Sequence, residues 1–439
     1  MSTRVQHCSF CKASFPLLLA LLLSGCGETA MLPVMAGYGP QPELPPPRQR
    51  LIPTINIARV SGWAEGQRPR AADGLQVNAF ATGLHNPRWL LVLPNGDVLV
   101  AESNTPAGNM QGFRGWVAGL LMRRAGSGEP SADRITLLRD TDDDGVADFR
   151  SVFLAGLHSP FGMALVGSTF YVANADALLQ VPYQPGQTHL SASPELLTDL
   201  SAGSLNYHWT KSLIASPDGS KLYVGVGSNS NAGENGIDEE TGRAVIREID
   251  LPGGQSRVFA SGLRNPVGLA WQADTGVLWT TVNERDELGS DLVPDYMTSV
   301  QENGFYGWPW SYYGQQVDTR VQPANPGKVA QAIVPDYALG AHTASLGLAW
   351  LQAPALLPDY HSGMVVSQHG SWNRSPFSGY QVIFIPFANG RPEGSPQILL
   401  DGFREENTAY GRPAGVALDK TGALLIADDA GNTIWRLHQ

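Results

Sequence analysis

Leu263-Arg264-Asn265-Pro266, continued by VGLAWQADTGVLWTTVNE over residues 267–284, reads as two short apolar strands around a Gly-containing turn. Alternating Val, Leu and Trp on either side of a tight turn is a β-hairpin pattern. The same module recurs on both sides of it. Upstream lie Leu84-His85-Asn86-Pro87 with WLLVLPNGDVLVAES, Leu157-His158-Ser159-Pro160 with FGMALVGSTFYVANA, and Asn206-Tyr207-His208-Trp209 with SLIASPDGSKLYVGVGS. Downstream, His342-Thr343 leads into LGLAW and, after an insert, GMVVSQHG, while Gly411-Arg412-Pro413 leads into AGVALDKTGALLIADDAGNTIWRL. Six hairpins at intervals of roughly 50 to 80 residues, with no helical period between them, predict an all-β, six-bladed β-propeller. Unrelated hairpins in a β-sandwich are the alternative.

Each copy places a polar or basic residue just before its first strand: His85, His158, His208, Arg264, His342 or Thr343, and Arg412. Equivalent positions of a propeller share one face, so these side chains are expected around one mouth of the central channel. His and Arg gathered there in an acidic protein suit an anionic, planar or metal-bearing ligand. Polar residues that merely cap blade edges would give the same pattern.

Composition narrows the class. The chain has 439 residues, 43% of them hydrophobic and only 16% charged, with 49 Gly and 32 Pro, a turn-rich globular balance. A net charge of -11 argues against nucleic acid as a partner. Collagen, coiled coil and a multi-span membrane protein are excluded by the same composition.

The N-terminus reads as an export signal. Arg4 and Lys12 precede an apolar run from Phe15 to Leu23, too short to span a bilayer. Leu23-Ser24-Gly25-Cys26 looks like a bacterial lipobox, with Cys26 the lipidated new N-terminus; an ordinary signal peptide with a chance cysteine is the alternative. Gly27 rather than Asp after the cysteine implies outer-membrane retention, facing the periplasm. Cys8, Cys11 and Cys26 are the only cysteines, so a processed chain forms no internal disulfide. Loss of residues 1–25 removes Arg4 and Lys12 and leaves 27 basic residues against 40 acidic. Residues 26–70, with Pro45-Pro46-Pro47, read as a spacer between lipid and a fold covering 71–439.

Around Leu263–Ala270 the sequence resembles the soluble PQQ-dependent glucose/aldose dehydrogenases, most of all the branch labelled sorbosone dehydrogenases. Further stretches agree in order: His208 followed by Ser216-Pro217-Asp218-Gly219 and Tyr223–Gly227; Asn283–Glu287 with Gly304-Phe305-Tyr306-Gly307-Trp308-Pro309; His369–Arg374; and Tyr410–Pro413. The resemblance covers roughly residues 75 to 439. It implies PQQ and calcium as cofactors and a sugar, an aldose or aldosone, as substrate. His208 would be the general base at the anomeric hydroxyl while the C1 hydride moves to the quinone. Arg264, Arg374 and Arg412 would face the PQQ carboxylates and quinone oxygens, Asn265 a quinone oxygen, and backbone carbonyls of Asn283 and Glu284 the calcium. His369 rivals Arg374, and His342 and Thr343 complete the candidate cofactor-binding set. Three departures stand out: Trp209 follows His208 where the family has Gln, Tyr410-Gly411-Arg412 keeps one arginine of two, and the HGSWNR loop replaces a Lys-bearing one. With no haem-attachment motif and no Rossmann fingerprint, electrons must leave to an external acceptor, a cytochrome or quinone.

Asp140-Thr141-Asp142-Asp143-Asp144-Gly145-Val146-Ala147-Asp148 fits D-x-D-x-D-G-x-x-D. Carboxylates of Asp140, Asp142 and Asp144, the carbonyl of Val146 and the carboxylate of Asp148 are expected to hold a structural calcium ion, because Gly145 permits the tight turn. Ser151 at the twelfth position and strand-like flanks argue against an EF-hand; a solvated acidic turn is the alternative. Two rivals to the dehydrogenase remain at this level: a calcium-dependent lactonase on the same fold, and a non-catalytic propeller binding module.

Overall fold

The computed structural model describes residues 28–48, 54–106, 128–203, 205–351 and 360–439. The segment read as an export signal, with Cys8, Cys11 and Cys26, lies outside these residues. All six hairpins form, and each supplies the two inner strands of one antiparallel sheet. Blade 1 starts with Pro87–Val92 and Val98–Glu102, blade 2 with Met163–Val166 and Thr169–Ala173, and blade 3 with Lys211–Ala215 and Lys221–Val226. Blade 4 starts with Pro266–Gln272 and Val277–Val282, blade 5 with Ser345–Leu351 and Gly363–Gln368, and blade 6 with Pro413–Leu418 and Leu424–Asp428. Inner strands of successive blades touch one another around a closed ring, blade 6 returning to blade 1.

Closure uses both ends of the chain. Strand Gln76–Ala81 pairs with Thr433–His438 and becomes the outer strand of blade 6. Its Val77, Phe80 and Ala81 are buried, so the last blade is stitched by ladder bonds and apolar contact alike.

The repeated Pro-x-Gly is a device of packing. The register of the inner hairpin shifts between Pro266 and Leu269, and again between Pro413 and Val416, a bulge at the same place in two blades. A Cβ on Gly268 would lie 2.5 Å from the Leu346 carbonyl oxygen of the next blade, and one on Gly347 2.5 Å from the Ala414 carbonyl oxygen. Glycine there lets neighbouring inner strands approach closely at the channel wall.

The stretch read as a spacer does not stand away from the fold. Tyr38–Gly39 adds an outer strand to blade 4 by pairing with Ala338 and Leu339, and Arg70–Ala71 pairs with Leu400 and Asp401 of blade 5. Elsewhere in this stretch, the Asp291 carboxylate accepts the Met31 N–H at 2.7 Å, and the Trp63 indole donates to Asp428 at 2.6 Å. Proline here does not enforce an extended tether, because unpaired sheet edges on blades 4 and 5 offer this stretch ladder partners. No helix among the described residues is long and apolar enough to cross a membrane.

Candidate active site at the channel mouth

Every inner strand starts at the same end of the channel, so the residues that precede it converge there. His208 comes just before blade 3, Arg264 and Asn265 just before blade 4, His342 and Thr343 just before blade 5, and Arg412 just before blade 6. His85 and His158 hold the matching places of blades 1 and 2 but are exposed, with His158 paired to Asp176 at 2.8 Å.

His208 is placed as a base. Its Nδ1 lies 3.0 Å from both the carbonyl and the hydroxyl oxygen of Ser228. The carbonyl only accepts, and the hydroxyl spends its own proton on the Ser230 carbonyl at 2.6 Å. Nδ1 therefore carries the ring proton, and Nε2 keeps the lone pair. Burial, then the nearby Arg264 and Arg243 guanidinium groups, hold the imidazolium form well below the ordinary imidazole range.

Arg264 is a buried hub. Nε donates to the Asn231 carbonyl at 3.0 Å, Nη1 to the carbonyls of Asn283 at 3.3 Å and Glu284 at 2.7 Å, and Nη2 to Asn231 Oδ1 at 3.0 Å and Asp286 at 3.3 Å. All five N–H donors are thus committed to protein oxygens. The expected metal ligands, the Asn283 and Glu284 carbonyls, accept from this arginine. The Glu284 side chain is different: it is buried, its Oε1 has no partner, and burial pushes its carboxyl up to about 7. Asp295, whose Oδ1 accepts the Glu284 N–H at 3.0 Å, is pushed up to about 6, again by burial first. Two buried carboxyl groups and one unsatisfied oxygen are the donor chemistry a divalent cation would relieve.

Asp286 ties blades 4 and 5 together. Its carboxylate accepts from Asn373 at 2.6 Å, from Arg264, and lies 3.5 Å from His342 Nδ1. Burial opposes its charge, but His342 and Arg264 outweigh it and hold Asp286 well below the usual carboxylate range. Burial likewise lowers the His342 imidazole, yet the bond to Asp286 raises it on balance. Thr343 points elsewhere, into a buried network with Asp295 at 3.2 Å and Ser345 at 2.9 Å.

Of the HGSWNR loop, Asn373 reaches this network and Arg374 does not. Arg374 Nε donates to the Ser290 carbonyl at 2.9 Å and Nη1 to the Pro376 carbonyl at 2.6 Å, a bracket between loops. His369 stands on the far side of the mouth, where Nε2 meets both oxygens of Asp429 at 2.9 Å. Arg88 pairs with the same carboxylate and lies 5.7 Å over the Trp209 ring, so the two halves of the site meet at the residue after His208. Arg412 has one side-chain bond, to the Tyr380 hydroxyl at 3.1 Å, and its buried Nε has no partner. Arg88 Nε and Asn265 Oδ1 are also buried without partners. Uncommitted donors on two arginines fit a planar anionic group, whereas the free Asn265 Oδ1 is an acceptor and suits a donor. Arg88, Asp429, Asn231 and Arg243 are members that sequence reasoning missed. Arg88 had a signal, since it follows His85-Asn86-Pro87 directly.

At the opposite end of the propeller, the turn between strands Arg134–Arg139 and Phe149–Ala155 brings oxygens of Asp140, Asp142 and Asp144 within 4.8 Å of one another. Asp140 accepts the Gly145 N–H at 2.8 Å, and Asp144 accepts the Val146 N–H at 2.7 Å, so the Val146 carbonyl belongs to the same turn. Asp148 instead caps Thr141, whose N–H it accepts at 3.0 Å.

Fold and site together define a six-bladed propeller whose mouth gathers histidine, arginine and buried carboxylate side chains. The chain belongs to the TrAA12-like family, whose model matches residues 134–303 and 315–439. It is 24% identical over 359 residues to the pyrroloquinoline quinone-dependent pyranose dehydrogenase of Coprinopsis cinerea. That match takes in 72% of this chain and 44% of the relative, so the chain spans under half of that protein's length. Among solved structures, the holo form of the pyranose dehydrogenase PQQ domain from Coprinopsis cinerea superposes with a TM-score of 0.69 at 20% identity, covering 88% of this chain and all of that one. A calcium structure of the Trichoderma reesei carbohydrate-active enzyme of family AA12 gives 0.66 at 18%, covering 84% and 97%. These structures share the six-bladed fold.

Proposed function

We propose that the protein is a PQQ- and calcium-dependent sugar dehydrogenase that oxidises an aldose or aldosone, a sorbosone-like sugar being the narrower reading. The observation that carries this is His208, whose Nδ1 is committed to Ser228 so that Nε2 is the basic nitrogen. PQQ, when bound, supplies the two-electron acceptor for the C1 hydride, and calcium a Lewis acid beside it. The chain's own residues do the rest. His208 Nε2 removes the proton of the anomeric hydroxyl, a contribution of roughly 10²–10⁴-fold. Arg412 and Arg88 offer the uncommitted donors for the anionic cofactor, Asn265 stands beside them, and the Glu284 carboxylate offers an oxygen to the metal. Arg264 holds the loops that carry these groups rather than spending a donor on the ligand.

Electrons would pass to an external cytochrome or quinone. Export and lipidation at Cys26 would place the propeller at the outer membrane, facing the periplasm; residues 71–439 would form the catalytic unit. The Asp140–Asp148 turn would hold a second, structural calcium ion. The relative's name and the fold of PQQ enzymes support the cofactor.

The test is a titration of the metal-depleted chain with PQQ, with and without calcium, read by cofactor absorbance. Saturable, calcium-dependent binding that weakens in Arg412→Ala, followed by sugar-dependent reduction of an artificial acceptor, is expected. No binding at micromolar PQQ refutes the reading.

A further inference from the structure

Behind His208 lie two buried basic side chains for which the described residues supply no ion pair. Lys211, the first residue of blade 3, and Arg243, just before the third strand of that blade, are 0% and 4% exposed. Lys211 Nζ meets Asn206 Oδ1 at 3.1 Å, the His208 carbonyl at 3.3 Å and the Trp209 carbonyl at 3.0 Å. Three acceptors around one nitrogen favour the ammonium with its three N–H, whereas burial, then Arg243, hold Lys211 well below the ordinary lysine range. Arg243 Nη1 donates to the Ser201 carbonyl at 2.7 Å and Asn206 Oδ1 at 2.9 Å. Its Nη2 donates to the His208 carbonyl at 2.9 Å and the Ser228 carbonyl at 3.2 Å. The nearby carboxylates are engaged elsewhere, Glu240 with Asn229 N–H and Ser230, and Asp176 with His158.

We propose that Lys211 and Arg243 are positioning residues that clamp His208 and Ser228 together, so that the imidazole donates from Nδ1 and keeps Nε2 as its acceptor. This rests on the role of His208 proposed above. Two basic groups share Asn206 Oδ1 and the His208 carbonyl, so the pair is a costly arrangement for mere packing. A single neutral donor would hold the backbone at less cost. Arg243 adds a positive field behind the imidazole, which opposes its protonation, and fixes the distance between the His208 and Ser228 carbonyls; Lys211 holds the His208 backbone from the other side. Arg264 acts in the same sense from blade 4. Asp286 opposes both arginines from the loop after the second strand of blade 4, and the Tyr207 ring lies 4.7 Å from the imidazole on the remaining side.

The experiment follows the His208 ring itself, in cofactor-free protein with ¹⁵N-labelled histidine and the signal assigned by loss in His208→Gln. In the unaltered chain the long-range ¹⁵N–¹H pattern is expected to show the Nδ1–H form, unchanged down to the acid end of the folded range. Arg243→Met is expected to raise the titration midpoint by roughly one pH unit, and Lys211→Met, which frees the His208 carbonyl, to raise it less. Arg243→Lys keeps the charge but loses the fork; it is expected to mix the two tautomers with a smaller rise, and serves where a methionine variant does not fold. In loaded enzyme the acid limb of kcat/KM should move with the ring. An Nε2–H form in the unaltered chain, or variants whose ring titrates as before, would overturn the proposal. Absence of PQQ binding would sink the dehydrogenase reading and leave this ring measurement standing.

Discussion

At the scale of single residues, the site is decided by where donors are spent. Arg264 commits all five N–H groups to Asn231, Asn283, Glu284 and Asp286, so its removal strips four residues of their partners at once. Arg264→Met is expected to cost about 3–5 kcal/mol of stability in urea unfolding, because Asp286 stays buried with its charge poorly compensated. Arg264→Lys should recover little of it, since one ammonium cannot reproduce the fork. If Arg264→Met unfolds like the unaltered chain but loses PQQ binding, the arginine serves the ligand and not the loops. Its neighbour Asn265 makes the opposite case: an uncommitted buried amide belongs to a site and not to packing.

At the scale of elements, blade 1 holds two features that titrate differently. Glu102 is buried and is gripped by both Nε and Nη2 of Arg134 at 2.9 Å, and by Thr136. Burial raises its carboxyl, but Arg134, Thr136 and the His85 N–H together hold it below the ordinary glutamate value of 4.5. A lowered folded value means stability that is present above about 4.5 and lost as pH falls through the folded one. Glu102→Gln should therefore cost about 2 kcal/mol at neutral pH, reduced by the partial exposure of Arg134, and much less near pH 3. Urea midpoints at the two pH values check this. In the Asp140–Asp148 turn, Asp144 repels Asp142 and raises its carboxyl. Calcium is expected to raise the melting temperature of metal-free protein, and Asp142→Asn with Asp144→Asn to abolish that rise. A rise that survives both substitutions assigns the ion to another site.

At the scale of the molecule, the ring has one seam. Five blades take their four inner strands from a continuous run of chain, whereas blade 6 needs Gln76–Ala81 from the other end. A chain beginning at residue 82 would expose Ile434, Trp435 and Leu437, all buried in the intact ring, along an unpaired edge. It is expected to lose cooperative thermal unfolding and to bind a hydrophobic dye. A cooperative melt equal to that of the full chain would show that the seam is dispensable. The outer strand Tyr38–Gly39 and the Trp63 bond to Asp428 lie further out and should add to stability without deciding the fold.

The sequence by itself determined the blade count and the face on which the site lies. Hairpin alternation is a local period, and antiparallel blades put every residue that precedes an inner strand at one mouth, so His208, Arg264, His342 and Arg412 were legible without coordinates. Only the tertiary structure decided what each side chain does there. Arg264 and Arg374 look alike in sequence, yet one organises the channel loops and the other brackets Ser290 and Pro376. Arg243 and Lys211 show no motif, because their meaning arises from sharing Asn206 and His208 across a separation of 32 residues. The proline-rich stretch lies on blades 4 and 5 for the same reason. Period fixes which face a residue occupies, whereas the partner that satisfies its charge or its N–H comes from other strands, and folding alone brings the two together.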